Sequence, residues 1–179
     1  MGSVWQPPNP PALMNSESHT MFTPQDELFM QTAIDASLTA HLAGDMPFGA
    51  VLASAQGQGL LVARNNQITS GDCTGHAEMV LVREATNMLG AKSLEGATVY
   101  ASGEPCAMCS GAMFWAKVKR VVYAASTQDI VDTLGAPMLP ITSSTVLAHA
   151  SPAMHVEGPL LANKAVAILR LKAQSSVIF

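Results

Sequence analysis

A chain of 179 residues and 18.7 kDa is long enough for one domain with a core of its own. Apolar residues make up 49% of it, which excludes a disordered chain; charged residues make up only 12%, against about 25% in an average soluble domain. The net charge of −4, with nine Lys plus Arg, argues against tight binding to long nucleic acid, where affinity comes from cations set against phosphates.

Residues 1–20 read as a flexible, proline-rich tail: Pro7, Pro8, Pro10 and Pro11 stand among polar residues with no apolar period, and 21–179 read as a single domain. No basic-then-apolar secretion signal is expected, and Gln6 stands where a myristoylation start needs Ser or Thr. Thr23, Pro24 and Asp26 predict a capped helix start, with Leu28, Ile34, Leu38 and Leu42 near one face and Gly44 as its stop. Strands are predicted over Phe48 to Ser54 and Leu60 to Arg64, joined by a Gly-rich turn, followed by a polar loop from Asn65 to Gly75. A helix is predicted over His76 to Leu89, a strand over Thr98 to Ser102, a helix over Pro105 to Val118 and a strand over Arg120 to Ala125. Ile130 to Ser151 reads as irregular, Ala153 to Glu157 as a short strand and Pro159 to Lys172 as a last helix. Helices alternating with strands imply a mixed sheet covered on both faces. The uncharged stretch from Thr133 to Val156 carries Pro137, Pro140 and Pro152 and is no membrane span, which needs about 20 mostly apolar residues.

Three cysteines, Cys73, Cys106 and Cys109, suit metal binding or catalysis in a reducing, cytoplasmic setting better than a disulfide scaffold. Cys106 and Cys109 stand at i and i+3 at a helix start, so both sulfurs reach one ion, and the helix dipole favours their thiolates. With a nitrogen from His76 they fill three of the four tetrahedral positions of zinc, leaving one for water. Glu78, two residues on, is the carboxylate placed to shuttle the proton. A closed structural site with Cys73 as fourth ligand is the alternative; otherwise Cys73 reads as a small buried hydrophobe. Asn65 could be a turn-former and Phe48 plain core. Trp115 suits a core or interface role, and Lys117, Lys119 and Arg120 read as a solvated helix end. His19, His41, His149 and His155 lack partners at ligand spacing.

The pattern His76-x-Glu78 with Pro105-Cys106-x-x-Cys109 matches the signature of the zinc nucleobase deaminases. From about Phe48 to Tyr123 the chain resembles the cytidine deaminase superfamily, in its purine branch of guanine deaminases and tRNA adenosine deaminases. Phe48-Gly49-Ala50-Val51, Asn65-Asn66, Thr74-Gly75-His76-Ala77-Glu78, Glu104-Pro105-Cys106-Ala107-Met108-Cys109 and Gly111-Ala112 carry it. The resemblance implies a three-layer α/β/α sandwich around a five-stranded mixed sheet, with one zinc per chain on His76, Cys106 and Cys109. It implies Glu78 as general acid and base, Asn65 contacting the base, Phe48 stacking near the ring and the Ala77 N–H holding a carbonyl. The implied reaction is attack of a zinc-bound hydroxide on a ring carbon bearing an amino group, with release of ammonia.

The substrate expected is a small, purine-like aminoheterocycle, guanine first, taken by a homodimer without nucleic acid or membrane as partner. Guanine deaminases of this type often carry an acidic Gly-Phe-Asp-Asp run whose carboxylate reaches the substrate. The aligned place here reads Gly135-Ala136-Pro137-Met138, with Asp129 and Asp132 as the nearest carboxylates. A tRNA adenosine deaminase and a non-catalytic zinc-stabilised scaffold are the other two readings.

Overall fold

The computed structural model describes residues 22–135, 139 and 141–175, so the proline-rich segment 1–20 and residues 136–138 lie outside the described residues. The elements are α1 (Pro24–Leu42), β1 (Gly49–Ala53), β2 (Gly59–Arg64), α2 (Gln67–Ser70), α3 (Ala77–Leu89), a 3-10 turn (Ala91–Leu94) and β3 (Thr98–Gly103). They continue with α4 (Ala107–Trp115), β4 (Arg120–Ala125), α5 (Thr127–Leu134), α6 (Ser143–Val146), β5 (His155–Glu157) and α7 (Ala162–Ser175). The strands form one five-stranded sheet in the order β2-β1-β3-β4-β5. β1 pairs antiparallel with β2 and β3, whereas β3–β4 and β4–β5 are parallel. The sheet is mixed, as expected.

Alternating side chains on these strands feed two cores, one on each face. Leu52, Val99 and Val121 join Leu81 and Met113 from α3 and α4 on one side. Val51, Tyr100 and Val122 join Met30, Ile34, Ile130 and Leu169 from α1, α5 and α7 on the other. The helices therefore cover both faces of the sheet.

α1 starts as expected: the Thr23 hydroxyl accepts the Asp26 N–H at 3.1 Å while the Asp26 carboxylate accepts the Thr23 N–H at 2.8 Å. Its buried face agrees with the expected one at Ile34, with Leu38 half-buried, and departs from it at both ends. Leu28 and Leu42 are 63% and 77% exposed, and the buried residues are Met30, Ala33, Ile34, Ser37 and Ala40. The cause is close approach by β1. A Cβ on Gly49 would run into the Ala33 carbonyl and stand 2.6 Å from the Ser37 nitrogen, so small residues must face it.

Three other expectations change. The stretch expected to be irregular holds the end of α5 and all of α6, and the polar loop after β2 holds α2. The third helix stops at Trp115, because Lys117 turns the chain at a φ of 63°. Of the basic run, Lys117 and Lys119 are exposed just past the helix, as expected, with Lys117 paired to Glu95 at 2.7 Å, whereas Arg120 opens β4 between Asp26 at 2.6 Å and Glu157 at 2.7 Å.

Candidate active site

Two helix N-termini meet at the carboxyl end of β3. His76 is the N-cap of α3, Cys106 is the N-cap of α4, and Cys109 lies in the first turn of α4. The His76 Nδ1 stands 3.7 Å from each cysteine sulfur, and the two sulfurs are 3.6 Å apart. Zinc bonds of about 2.3 Å to sulfur and about 2.0 Å to nitrogen, at a tetrahedral angle, separate ligand atoms by about 3.6–3.8 Å. The three donors therefore fit zinc in both type and spacing, and they form a candidate metal site. Cys73 stands outside the cluster and is exposed, which corrects its reading as a buried hydrophobe and leaves the four-ligand structural site without its fourth ligand.

The electrostatics of the cluster favour a cation. The hydrogen-bonded contact with Cys109, helped by His76 and opposed by burial, pulls the Cys106 thiol down to about 4. The same contact and burial push Cys109 up, so the two sulfurs hold one proton between them. Hydrogen bonding to Cys106 raises His76 despite its burial. A dication takes the place of the shared proton and makes both sulfurs ligands.

Glu78, in the first turn of α3, is 7% exposed, and its Oε2 accepts a hydrogen bond from the Cys109 thiol at 3.5 Å. Burial raises its carboxyl above the usual carboxylate range. It faces a cavity of about 320 Å³ together with His76 and Cys106. That volume is at the small end for ligand pockets. Phe48, Met46, Ile130 and Leu134 supply apolar walls. Phe48 and Ile130 both reach the cavity over Gly103, where a Cβ would stand 2.8 Å from the Phe48 ring and 3.1 Å from Ile130. Glu104 also lines the cavity, but its oxygens are consumed. One accepts from Thr127 and the other from Ser143, each from backbone N–H and hydroxyl at 2.8–3.0 Å. Glu104 thus ties the starts of α5 and α6 to the strand that leads into the metal helix.

Asn65 ends the β2 hairpin fully buried, its N–H donating to the Phe48 carbonyl at 2.9 Å. Its side-chain Nδ2 donates to Gln67 Oε1 at 2.9 Å and its Oδ1 accepts the Gln67 N–H at 3.0 Å. Gln67, which the sequence reading did not single out, lines the cavity. Ala77 is buried at the first position of α3, so its N–H has no acceptor inside the helix. Asp129 closes a capping box with Ser126 at 2.6 Å, and Asp132 takes the Gln128 amide at 2.7 Å, so both nearest carboxylates are engaged on α5 itself. Trp115 is 81% exposed and away from the cavity. His149 and His155 are exposed, His41 is half-buried, and His19 lies outside the described residues.

Comparison with known proteins agrees with this site. The family model for the cytidine and deoxycytidylate deaminase zinc-binding region matches residues 23–125. A probable cytosine deaminase of Schizosaccharomyces pombe is 32% identical over 153 residues, covering 83% of this chain and 93% of that protein. The tRNA-specific adenosine deaminase of Bacillus subtilis is 43% identical over 101 residues, 56% of this chain and 62% of that protein. The solved guanine deaminase of Nitrosomonas europaea shares the fold, with a TM-score of 0.71 at 22% identity over 97% of this chain and 98% of that one. The chain, with its two cysteines and one histidine gathered at two helix starts, therefore belongs to the family of the cytidine and deoxycytidylate deaminase zinc-binding region.

Proposed function

We propose that the protein is a zinc-dependent hydrolytic deaminase of a small amino-substituted heterocycle, with a purine-like base of the guanine type as first candidate. The observation that carries this reading is the buried Glu78 carboxyl, 3.5 Å from the sulfur of Cys109, on the same small cavity as His76 and Cys106. The relatives act, by name, on cytosine, adenosine and guanine, rings that share an amino group on a carbon flanked by ring nitrogen. The balance is the same for each: water adds to that carbon, the carbon–nitrogen bond breaks, and the ring keeps a carbonyl as ammonia leaves.

His76, Cys106 and Cys109 would hold the metal, which when bound supplies Lewis-acid activation of water. Glu78 Oε2 takes the proton released by the attacking water and returns it to the ring nitrogen. The same carboxylate then takes the remaining proton from the added hydroxyl, as the carbonyl forms, and passes it to the amine, which leaves as ammonia. Its burial raises its affinity for protons, which suits a group that both takes and returns them. Phe48 and Ile130 orient the ring and exclude water, which strengthens each polar contact in the cavity. Ammonia release from a panel of free purines, pterins, pyrimidines and their nucleosides tests the reading. Release from a free base, lost in Glu78→Gln with zinc retained, is the expected result. No release from any ring by zinc-loaded protein overturns it in favour of a non-catalytic scaffold.

The second reading, a tRNA adenosine deaminase, is favoured by the 43% identity to the Bacillus subtilis enzyme. Against it, the chain has only nine cations for thirteen carboxylates, and four of them, Arg64, Arg83, Lys117 and Arg120, already pair with carboxylates. An anticodon stem-loop bound at micromolar affinity in physiological salt, with deamination of its adenosine, would promote it. We further infer a homodimer, since Met88 at 68% and Trp115 at 81% exposure end the adjoining helices α3 and α4. Sedimentation at micromolar concentration tests this, a monomer being the contrary outcome.

A further inference from the structure

Gln67 is the polar side chain of the cavity wall that neither the metal ligands nor the helix caps consume. Its position is fixed twice over. α2, which it opens, is held by the fully buried Asp45, whose carboxylate accepts the Ile68 and Thr69 N–H groups at 2.9 Å and the Thr69 hydroxyl at 2.8 Å. The amide itself is held in one orientation: Oε1 accepts from Asn65 at 2.9 Å, and Nε2 donates to the Cys73 carbonyl at 3.1 Å. Turning it over would set oxygen against oxygen and nitrogen against nitrogen. A primary amide has two acceptor sites and two hydrogens, so after these bonds one of each remains to face a ligand.

The other polar groups leave this task to Gln67. Both Glu104 oxygens already accept two hydrogen bonds, and Asp129 and Asp132 are engaged on α5. Among the described residues, a carboxylate that could pair with two adjacent ring donors is therefore lacking at the wall away from Glu78. We propose that Gln67 is a specificity-determining residue that reads the ring as one donor beside one acceptor, and so selects a neutral lactam edge, a ring N–H next to a carbonyl. The proposal rests on the heterocycle-deaminase reading above and names the substrate feature that this site recognises.

Guanine and 2-aminopurine make the test, because both carry the 2-amino group and only guanine has the lactam edge. Fluorescence titration of zinc-loaded protein with 2-aminopurine, displaced by guanine, gives both affinities, and ammonia release from each is followed in parallel. The wild type should prefer guanine by about tenfold, the factor set by one or two neutral hydrogen bonds. Gln67→Met keeps the length of the side chain without its donor and acceptor. It should bring the two rings within about threefold, raising KM for guanine with little change in kcat. Gln67→Glu keeps an acceptor for Asn65 but loses the donor, and should not restore the preference. A preference that survives Gln67→Met within twofold, or returns in Gln67→Glu, would show that Gln67 merely holds Asn65 and would overturn the proposal. So would a wild type that binds neither ring or does not distinguish them. Ammonia release from neither ring, nor from any ring of the wider panel, with the binding preference and its loss intact, would defeat the deaminase reading and leave the assignment of Gln67 standing.

Discussion

At the scale of single residues, Glu78 and Cys109 set the proton-handling group beside the metal ligands. Glu78 Oε2 stands 3.5 Å from the Cys109 sulfur, so the carboxyl lies beside the ligands without being one of them. Glu78→Gln preserves shape and leaves the three ligands untouched but cannot carry a proton. Turnover should fall by about 10²–10⁴-fold or more, with zinc content and thermal stability retained. Activity within tenfold of the wild type, measured on zinc-loaded protein, would remove Glu78 from the mechanism. The cysteines separate in the same way. Cys106→Ser takes away a thiolate held at one corner of the cluster and should lose zinc and activity together. Cys73→Ser, at an exposed position outside the cluster, should keep one zinc per chain and an unchanged rate. Metal analysis of the two purified variants checks both expectations, and zinc loss from Cys73→Ser would return the argument to a four-ligand structural site.

Among the elements, α5 does most to shape the cavity, since Ile130 and Leu134 form part of its wall. Its start was written in the sequence as Ser126-x-x-Asp129, the same reciprocal cap that marked α1 at Thr23 and Asp26. The helix is hidden in the sequence because it is eight residues long and runs into an uncharged, proline-containing stretch that reads as loop. The metal ligands were legible because each lies in a local motif at a helix start. Gln67 was not, because its role comes from an Asp45 and a Cys73 carbonyl that only the folded chain brings to it. The face of α1 is legible at Ile34 but not at Leu28 and Leu42, for a similar reason: hydropathy favours those two leucines, whereas close packing against Gly49 selects small residues. Gly103 gives the corresponding test for the cavity. Gly103→Val puts a branched side chain where even a Cβ meets Phe48 at 2.8 Å, so the ring and Ile130 must move into the cavity. Overpacking of this kind costs about 1–3 kcal/mol. Zinc binding should persist while KM rises at least tenfold, and an unchanged KM in steady-state assays would show that these two side chains do not bound the substrate.

For the molecule as a whole, one charge network joins four elements at the opposite end of β4 from the metal helix. Asp26 of α1 accepts the Tyr100 hydroxyl of β3 at 2.7 Å and Arg120 of β4 at 2.6 Å, and Arg120 reaches Glu157 of β5 at 2.7 Å. Burial alone would raise the Asp26 carboxyl. The Arg120 guanidinium, the Thr23 N–H and the Tyr100 hydroxyl outweigh it and hold the group well below the usual carboxylate range. A folded-state pKa below the unfolded one gives stability that is fully present above about pH 4, the ordinary aspartate value, and is lost as pH falls toward the folded value. Asp26→Asn removes the charge and leaves Arg120 with Glu157 alone. It should cost roughly 3 kcal/mol near pH 7, within the range for a broken, largely buried ion pair with charged hydrogen bonds. The cost should shrink steadily below about pH 4, because the wild type is then losing the same interaction by protonation. Acid weakens zinc binding by protonating the ligands in both proteins alike, so the comparison rests on the difference between their unfolding free energies. Chemical denaturation of wild type and variant across that range supplies it. A gap that stays constant from neutral pH to about pH 2 would mean that the Asp26 carboxylate holds these four elements together by its shape and not by its charge.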